Sequence, residues 1–385
     1  MIDGPERVLT GFRDSFGSTA AVVRSPGRVN VIGEHTYHNL GFVLPGAVDR
    51  AIFLAIRLRD DRALRFVALD KAERYDGSLD EIRPVASQWP NYLLGILTEL
   101  QAQGVELRGV DCAFGGNVPM GSGMSSSAAL ECGFAFGLNE LLGAGLSRVE
   151  LAKLSQRSEN RFVGVNVGIM DPFASCLGRD KRLIRLDCRD LSYTYVPFER
   201  DDIRIVLCDS QVPRSLTGSA YNERRAQCEQ GVAQLQQRHP EIRSLRDASP
   251  EAIEAIRDQL DPAVYRRCAY VVAENRRVLA ACDALERGDL SAVGAAMNAS
   301  HEGLAHGYEV SCRELDVLAA AAQGLPGVFG SRMMGGGFGG CTINLVEADH
   351  LAAFQDRMAP VFRDQLGKEP VIHVCKLSAG TELLG

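Results

Sequence analysis

A turn rich in glycine and serine, set between two apolar segments, most constrains how this chain can fold. Residues 116–127 read GNVPMGSGMSSS and lead directly into an apolar stretch from Ala128 to Leu142. Glycines let a backbone curl and approach a ligand closely, and the serines after them can cap a helix. The turn therefore predicts a cluster of N–H donors at a helix N-terminus, which suits phosphate. No lysine follows its last glycine, which excludes a Walker A loop, and a turn of purely structural purpose stays open as the alternative.

A second glycine-rich segment lies near the C-terminus, where residues 333–341 read MMGGGFGGC. So many glycines cost chain entropy unless the backbone needs close approach or positive φ angles. The segment contains a Gly-x-Gly-x-x-Gly pattern, which is typical of dinucleotide-binding folds. It is not the first turn of a repeated βαβ array, however, and we discount that interpretation.

A third segment, residues 24–39, reads RSPGRVNVIGEHTYHN and places arginine, glutamate and two histidines around a turn. Taken alone, Glu34, His35 and His38 could be metal ligands, but their spacing matches no familiar zinc pattern. A polar turn whose hydrogen bonds are satisfied within the protein is the simpler alternative.

Composition limits the possible functions. The 385 residues exceed the size at which one hydrophobic core usually stops growing, so two lobes are expected. The net charge of −7 comes from acidic and basic residues mixed along the chain, and without a basic tract nucleic acid is not an expected partner. Eleven scattered cysteines form no Cys-x-x-Cys pair, which argues against disulfides and a zinc site and fits a reducing compartment. With neither a signal peptide nor an apolar run of about 20 residues, we predict a cytoplasmic protein without a membrane partner.

The order of apolar patterns predicts a mixed α and β fold. Strand patterns at 51–56 and 64–69 precede a helix with Leu93, Ile96, Leu97 and Leu100 on one face. Ser147 and Glu150 form a capping box that opens a helix carrying Glu159 near its far end, and Ser249 caps another helix. Strands are predicted at 183–186, 203–208, 343–346 and 371–374, and helices dominate residues 219–325. The change in pattern predicts an N-terminal lobe of residues 1–180 and a helix-rich C-terminal lobe of residues 181–385.

The three segments together resemble the signature segments of the galactose, homoserine, mevalonate and phosphomevalonate (GHMP) kinase superfamily. Within it, the reading PGRVNVIGEHT at residues 26–36 is similar to that of galactokinases. Residues 159–171 (ENRFVGVNVGIMD) and residues 218–225 (GSAYNERR) agree with the same family. The resemblance runs from about residue 20 to the last strand. It implies the two-lobed α+β fold of these kinases, with mixed sheets, flanking helices and an active site between the lobes.

The resemblance also implies the reaction, which is transfer of the γ-phosphoryl group of ATP to the C1 hydroxyl of a sugar. Asp171 stands where the family has its catalytic aspartate, and we expect it to act as general base. Arg28 matches the family's catalytic arginine, close enough to hold Asp171 ionised and to stabilise charge near the attacking oxygen. A structural salt bridge between the two is the alternative.

For the nucleotide, the resemblance implies that the Gly/Ser turn wraps the ATP phosphates and that residues 333–341 help to shape the site from the other lobe. Ser127 and Glu159 match the superfamily's Mg²⁺ ligands, which are oxygen donors, as a hard cation prefers. Trp89 and Tyr92 resemble the pair that lines the adenine pocket, and packing in the core is an equal alternative. The expected nucleotide-binding residues are Trp89, Tyr92, Pro119, Gly121, Ser122, Gly123, Ser125, Ser126 and Ser127.

For the sugar, the matching family positions are Arg28, Glu34, His35, Tyr37, Gly168, Asp171 and Tyr221. Galactokinases usually read Gly-Glu-His-Thr-Asp-Tyr-Asn, whereas this chain has Tyr37 in place of the Asp and His38 in place of the Tyr. The missing carboxylate normally accepts hydrogen bonds from ring hydroxyls remote from C1, and a neutral phenol replaces it here. Galactose is therefore the expected sugar, with a changed preference as the alternative.

Two alternatives stay open at this point. One is a kinase of the same fold that acts on another sugar, such as a pentose, a uronic acid or an amino sugar. The other is a sugar sensor that binds sugar and ATP without catalysis, which the presence of Arg28, Ser127 and Asp171 disfavours. The sequence leaves the oligomeric state open, and a monomer is compatible with it.

Overall fold

The computed structural model describes residues 4–119, 121–213 and 217–384, with only the backbone for residues 217–219. Met120 of the Gly/Ser turn, the first three residues and the side chain of Ser219 therefore lie outside the described residues. Within these ranges the α-helices are α1 (Pro5–Phe16), α2 (Gln88–Ala102), α3 (Ser126–Leu142), α4 (Arg148–Ser158), α5 (Met170–Leu177), α6 (Thr217–Gln236), α7 (Pro250–Glu254), α8 (Pro262–Glu286), α9 (Leu290–Glu302), α10 (Arg313–Gln323) and α11 (Leu351–Pro360).

Strands and helices come in runs along the chain. The strands are β1 (Ala21–Asn30), β2 (Phe42–Val43), β3 (Pro45–Leu58), β4 (Ala63–Ala68), β5 (Glu73–Ser78), β6 (Val110–Gly116), β7 (Arg182–Asp187), β8 (Tyr193–Pro197), β9 (Ile203–Asp209), β10 (Val328–Met333), β11 (Cys341–Glu347), β12 (Ile372–Cys375) and β13 (Glu382–Leu384). Strands β1 to β5 come before α2, and helices α6 to α10 come between β9 and β10.

The largest sheet has the strand order β13-β1-β3-β6-β4-β5. Its pairs are antiparallel except for β4 and β6, which run parallel. Helix α3 packs on β1 and β3 through a face that is buried along most of its length. Because β13 is the last strand and pairs with β1, the two ends of the chain meet in this sheet.

Two further sheets complete the fold. Strands β10-β11-β9-β12 form an antiparallel sheet, and β2-β7-β8 form a small one. One hydrophobic core extends from the large sheet to residues of α8, α9 and β11, and a second core lies among the helices of the C-terminal half. The mixed α and β fold class predicted from the sequence is confirmed.

Most predicted elements are found. The predicted strand patterns overlap β3, β4, β7, β9, β11 and β12, and the apolar face of the predicted first helix lies buried in α2. Both bonds of the capping box at Ser147 and Glu150 are present, and Ser249 accepts a hydrogen bond from the Ala252 N–H at 3.2 Å. Glu159 follows the last residue of α4 and begins a π-helical turn.

The capping predicted for the serines of the Gly/Ser turn is wrong. Ser125 is the N-cap residue of α3, but it has φ 57° and its side chain makes no capping bond. A capping side chain needs an extended backbone to reach the amides of the first turn, and a left-handed residue does not provide one. The first amides of α3 are therefore not capped by this serine.

The cysteines lie mostly in the interior of the protein. All eleven are free thiols, and every one except Cys312 is buried. Among the described residues no group of histidine, cysteine, aspartate and glutamate side chains could by itself hold a metal ion. In the same part of the chain, no helix is long and apolar enough to cross a membrane.

A buried carboxylate fixes the strand that leads into the Gly/Ser turn. Asp111 of β6 is fully buried and accepts hydrogen bonds from Arg57 of β3, from Arg59 just after β3 and from Arg65 of β4. These three guanidinium groups compensate the desolvated charge and tie β3, β4 and β6 together.

We predict that Asp111→Asn lowers the free energy of unfolding by about 3 kcal/mol, the lower end of the range for a broken buried ion pair. The lower end applies because the arginines keep partial access to water, with 18–30% of each side chain exposed. Denaturant unfolding followed by circular dichroism would measure the change. Asp76→Asn, which breaks an exposed pair with Arg74, is the matched control and should change stability little. Equal effects of the two variants would contradict this account.

Candidate active site

The centre of the candidate site is an ion pair between Arg28 and Asp171. Arg28 lies on β1 just after a bulge at Pro26, and Asp171 lies in the first turn of α5. The Arg28 Nε donates to Asp171 Oδ1 at 2.7 Å, and Nη2 donates to Oδ2, so the contact is bidentate. Burial alone would lower the pKa of Arg28, but the Asp171 carboxylate together with Glu34 and Tyr37 raises that pKa above its ordinary value. The structure thus brings together the two residues that the sequence analysis expects to act as a pair.

The pair faces a cavity of about 490 Å³ that elements from both halves of the chain enclose. Arg28, Tyr37 and Asp171 line it from the N-terminal half, and Tyr221 and Gly336 line it from the C-terminal half. The remaining lining residues are Gly164, Val165, Asn166, Val167, Gly168, Met170, Asn222 and Gly335. A cavity of this size with a few convergent polar groups is typical of a small-molecule site.

Tyr37 forms part of the wall of this cavity. Its ring packs directly on Gly168, where a Cβ atom would lie 2.6 Å from Tyr37 Cδ2. The Tyr37 phenol is hydrogen-bonded to that of Tyr221, and Tyr221 Oη lies 3.3 Å from His38 Nδ1. His38 Nε2 in turn lies 3.1 Å from Tyr308 Oη. The wall is therefore a chain of aromatic polar groups whose hydrogen bonds are largely satisfied within the protein.

Glu34 lies behind the cavity surface rather than on it. Its side chain is fully buried, and Oε1 accepts hydrogen bonds from Arg332 Nη2 at 3.1 Å and from the Gly335 N–H at 2.8 Å. Oε2 is buried without a hydrogen-bond partner among the described residues.

His35, the next residue, is also fully buried behind the cavity. Its ring centroid lies 4.7 Å from that of Tyr308 and 5.7 Å from that of Tyr221. Burial lowers the pKa of His35 to about 4, so the imidazole is neutral at physiological pH. The structure thus places Glu34 and His35 as supports of the wall, while the other expected sugar residues line the cavity itself.

A second cavity, of about 590 Å³, opens at the N-terminus of α3. The rings of Trp89 and Tyr92 line one side of it, and Gly121, Ser126 and Ser127 line the end nearest the helix. Trp89 is 7% exposed and donates from Nε1 to Glu73 Oε2 at 2.6 Å. The structure is therefore compatible with both interpretations of Trp89 and Tyr92, as an adenine pocket and as core residues, because the two rings pack in the core and also line a cavity.

Hydrogen bonds fix other residues of the Gly/Ser turn next to this second cavity. The Ser122 hydroxyl is buried and donates to the Pro119 carbonyl at 2.8 Å, and the Gly123 carbonyl accepts a hydrogen bond from Arg28. Ser125 stands at the N-cap of α3. The uncapped amides and the positive end of the helix dipole at α3 fit an anionic group such as a nucleotide phosphate.

Ser127 of the second cavity is in contact with Glu159. The Glu159 side chain is almost fully buried and is hydrogen-bonded to the Ser127 hydroxyl. Burial raises the pKa of Glu159 to about 7, and Arg28 and Asp171 lie close enough to influence it. Two oxygen donors at a desolvated carboxylate fit Mg²⁺, which prefers oxygen ligands and completes its shell with water and substrate phosphates.

Sequence reasoning missed three parts of the site. Arg332 is fully buried and donates to the carbonyls of Asn30, Val31 and Met333 as well as to Glu34. No sequence pattern marks it apart from its position beside the glycine-rich segment. The other two parts are Asn222 and residues 164–167, which line the cavity at Asp171. Asn222 follows the predicted residue Tyr221, and residues 164–167 lie between the predicted residues Glu159 and Gly168. Their position next to predicted site residues was the signal that could have found them.

The glycine-rich segment 333–341 has the conformation that its composition predicts. Gly335, Gly337, Gly339 and Gly340 all have positive φ angles, between 82° and 138°. The segment follows β10 and carries Gly335 and Gly336 into the lining of the cavity at Asp171. It therefore shapes the site from the C-terminal half.

Family models match the chain in three places. The GHMP kinases N terminal domain matches residues 91–179, the GHMP kinases C terminal domain matches residues 281–364, and the galactokinase galactose-binding signature matches residues 10–58. A galactokinase of Roseiflexus sp. (strain RS-1) is 43% identical over 359 residues, which are 93% of this chain and 92% of that protein. The chain belongs to the galactokinase family.

Other galactokinases agree over the full length. That of Halalkalibacterium halodurans is 38% identical over 97% of this chain and 96% of its own length. The galactokinase of Lactococcus lactis, solved in complex with galactose, has a TM-score of 0.95 at 37% identity and covers 98% of this chain and 99% of its own. Mevalonate kinase of Methanococcus jannaschii, at 16% identity and a TM-score of 0.65, covers 94% of this chain and 99% of its own and shares the fold alone. Membership of the galactokinase family makes this chain a sugar kinase with ATP as a substrate.

The buried histidine of this galactokinase-family site generates a pH prediction. The folded-state pKa of His35 is about 4, below its ordinary value near 6.5, so the unfolded chain binds the proton first as pH falls. Stability is therefore fully present above pH 6.5 and decreases from there to pH 4, by up to about 3 kcal/mol from this residue. Burial lowers the pKa of His38 as well, so its contribution has the same sign.

Thermal unfolding between pH 4 and pH 7 would test this prediction. His35→Gln should flatten the dependence of melting temperature on pH, because glutamine does not titrate. His306→Gln alters an exposed histidine and should keep the slope of the unchanged protein. An unaltered slope in His35→Gln would show that the buried imidazole does not control this range.

Proposed function

We propose that this galactokinase-family chain transfers the γ-phosphoryl group of ATP to the C1 hydroxyl of galactose, giving galactose 1-phosphate and ADP. The bidentate contact of Arg28 with Asp171, at a cavity beside the N-terminus of α3, is the observation that carries the proposal. Phosphoryl transfer needs mainly positioning, charge neutralisation and a group that accepts the proton of the attacking hydroxyl.

In this proposal Asp171 is the general base. The bond to Arg28 stabilises its carboxylate form and fixes its direction, since charge-assisted bidentate pairs are strong and geometrically specific. The C1 hydroxyl proton passes to Asp171 while the C1 oxygen forms its bond to the γ-phosphorus, and the bond from that phosphorus to the ADP oxygen breaks. The guanidinium of Arg28 stabilises negative charge near the attacking oxygen.

We further propose that Ser127 and Glu159 hold Mg²⁺ and that Trp89, Tyr92 and the residues of the Gly/Ser turn hold ATP. The desolvated carboxylate of Glu159 and the Ser127 hydroxyl are the supporting donors. When bound, Mg²⁺ would neutralise phosphate charge. The uncapped N-terminus of α3 would bind the phosphates, and the two aromatic rings would contact the base.

We also keep the division into lobes of residues 1–180 and 181–385 as a proposal. A sugar cavity lined by residues on both sides of position 180 supports it. Strand β13 then belongs to the N-terminal lobe in space, because it pairs with β1. A cytoplasmic location stays a prediction from the sequence.

A galactokinase-like enzyme for a different sugar is the second candidate, and Tyr37 is the observation that favours it. Its phenol is neutral, is bonded to Tyr221, and stands where galactokinases have a carboxylate. Burial raises the pKa of Tyr37, so no negative charge forms there at physiological pH. A sugar whose hydroxyls remote from C1 need no charged acceptor would suit this wall.

Asp171→Asn tests the proposed base. We expect kcat to fall by at least about a hundredfold, since general base catalysis contributes that much, while the Kd for ATP changes little. ADP release would measure turnover and calorimetric titration would measure ATP binding. Asp364→Asn, at an exposed position, is the matched control. Near-normal turnover in Asp171→Asn would remove this residue from the role of base.

Tyr37→Asp tests the sugar preference. Restoring a carboxylate acceptor should raise kcat/KM for galactose by about tenfold or more, because hydrogen bonds to charged groups discriminate strongly. Tyr37→Phe keeps the ring, removes the phenol, and should bring no gain. Initial rates of ADP release across galactose, its position variants, pentoses, uronic acids and amino sugars would identify the preferred sugar. Rates of ADP release by Tyr37→Asp equal to those of the unchanged chain would refute this account of Tyr37. If the unchanged chain released no ADP with any sugar, the non-catalytic sugar sensor would be favoured.

A further inference from the structure

A further cavity of about 580 Å³, the outer cavity, adjoins the cavity at Asp171. It shares Tyr37, Asn166, Val167, Gly168 and Tyr221 with the cavity at Asp171, so these residues form a partition between the two spaces. Neither Arg28 nor Asp171 lines the outer cavity, which is therefore not a second place for phosphoryl transfer. Its size is within the range of small-molecule sites, about 300–1,000 Å³.

The charged side chains around this outer cavity are mostly cationic. Lys153 of α4, Arg189 of the turn after β7 and Arg225 of α6 line it, against the single carboxylate of Asp190. Asp190 is already engaged, because its Oδ1 accepts a hydrogen bond from the Ser192 N–H at 2.8 Å. Three cations from three separate elements converge on one space, which favours an anion there.

The two arginines are held in place by carboxylates that do not line the cavity. Arg189 Nη2 donates to Asp247 Oδ1 at 2.5 Å, and Arg225 Nε donates to Glu229 Oε1 at 3.0 Å. Each guanidinium has five N–H donors, so these contacts leave donors available for a ligand. Anchored side chains lose less entropy on binding than free ones.

The inner side of the cavity is held by side-chain amides. Gln156 Nε2 donates to the Val167 carbonyl at 3.1 Å, and Asn160 Oδ1 accepts from the Val167 N–H at 2.7 Å. These bonds attach the partition segment to α4 and to the turn after it. The outer cavity is thus a formed space with a fixed wall.

We propose that this outer cavity binds a small anionic ligand of sugar size, carrying a phosphate or carboxylate group that contacts Lys153, Arg189 and Arg225. The ligand would contact Tyr37 and Tyr221 from the side opposite the sugar. Because both ligands touch one partition, occupation of either site changes affinity at the other, and by linkage the two effects are equal. This coupling, unlike the outer site itself, rests on the proposed function.

Calorimetric titration of the full chain tests the outer site without any need for turnover. The probes are glucose 6-phosphate, galacturonate and inorganic phosphate, with glucose as the uncharged comparison. Saturable binding of a charged probe that weakens about tenfold or more in Lys153→Glu and in Arg189→Ala is the expected result, since each variant removes a charged contact. Arg62→Ala, at an exposed cation elsewhere, should bind as the unchanged chain does.

The probes also distinguish the source of the negative charge. Binding of glucose 6-phosphate and inorganic phosphate without galacturonate supports a phosphate ligand, and the reverse supports a sugar acid. An affinity that Lys153→Glu and Arg189→Ala both leave unchanged would overturn the site, as would the absence of saturable binding by every charged probe.

A titration of galactose with and without the bound probe then tests the coupling. A change in the galactose Kd that is matched by an equal change in the probe Kd supports the shared partition. Independent affinities would overturn the coupling and leave the outer site standing. A chain that binds the charged probe but does not phosphorylate galactose would refute the proposed function alone.

Discussion

The buried ion pair between Glu34 and Arg332 joins two segments that lie 298 residues apart in the chain. Both side chains are fully buried, so the pair costs desolvation energy that only further hydrogen bonds can offset. Arg332 finds them at the carbonyls of Asn30, Val31 and Met333, and Glu34 finds one at the Gly335 amide. The polar turn after β1 and the glycine-rich segment after β10 are thereby held in contact, and both contribute residues to the cavity at Asp171.

The ion pair between Arg28 and Asp171 lies close to this contact, since Glu34 is near enough to Arg28 to influence its pKa. Arg28 lies on β1 upstream of the turn, and its guanidinium contacts both Asp171 and the Gly123 carbonyl of the Gly/Ser turn. One arginine thus connects the cavity at Asp171, where the sugar is proposed to bind, to the turn before α3, where the nucleotide phosphates are proposed to bind. Burial then sets the electrostatics around it: it raises the pKa of Glu159 to about 7 and lowers that of His35 to about 4.

Much of this could be predicted from the sequence because the signals are local. Capping boxes, strand patterns and glycines that need positive φ act within a few residues, and the signature segments identify the family. The prediction that a serine of this turn caps α3 is wrong because Ser125 has a left-handed backbone conformation. That conformation depends on how the loop packs, which no local sequence pattern encodes. Arg332 was missed because its partners lie near residue 30. Glu34 and His35 were expected to contact sugar, and their position behind the cavity surface reflects packing against Arg332, Tyr270 and Tyr308.

The sequence by itself determined the helices and strands, the kinase family, and the residue types available for phosphoryl transfer, because propensity and motif spacing are properties of neighbouring residues. Only the tertiary structure decided which of those residues share a cavity and which support it from behind. It also decided that the last strand pairs with β1 and that three cations from separate elements surround the space behind Tyr37. The reason is physical: desolvation, ion pairing and close packing depend on distances between residues far apart in the chain, and folding sets those distances.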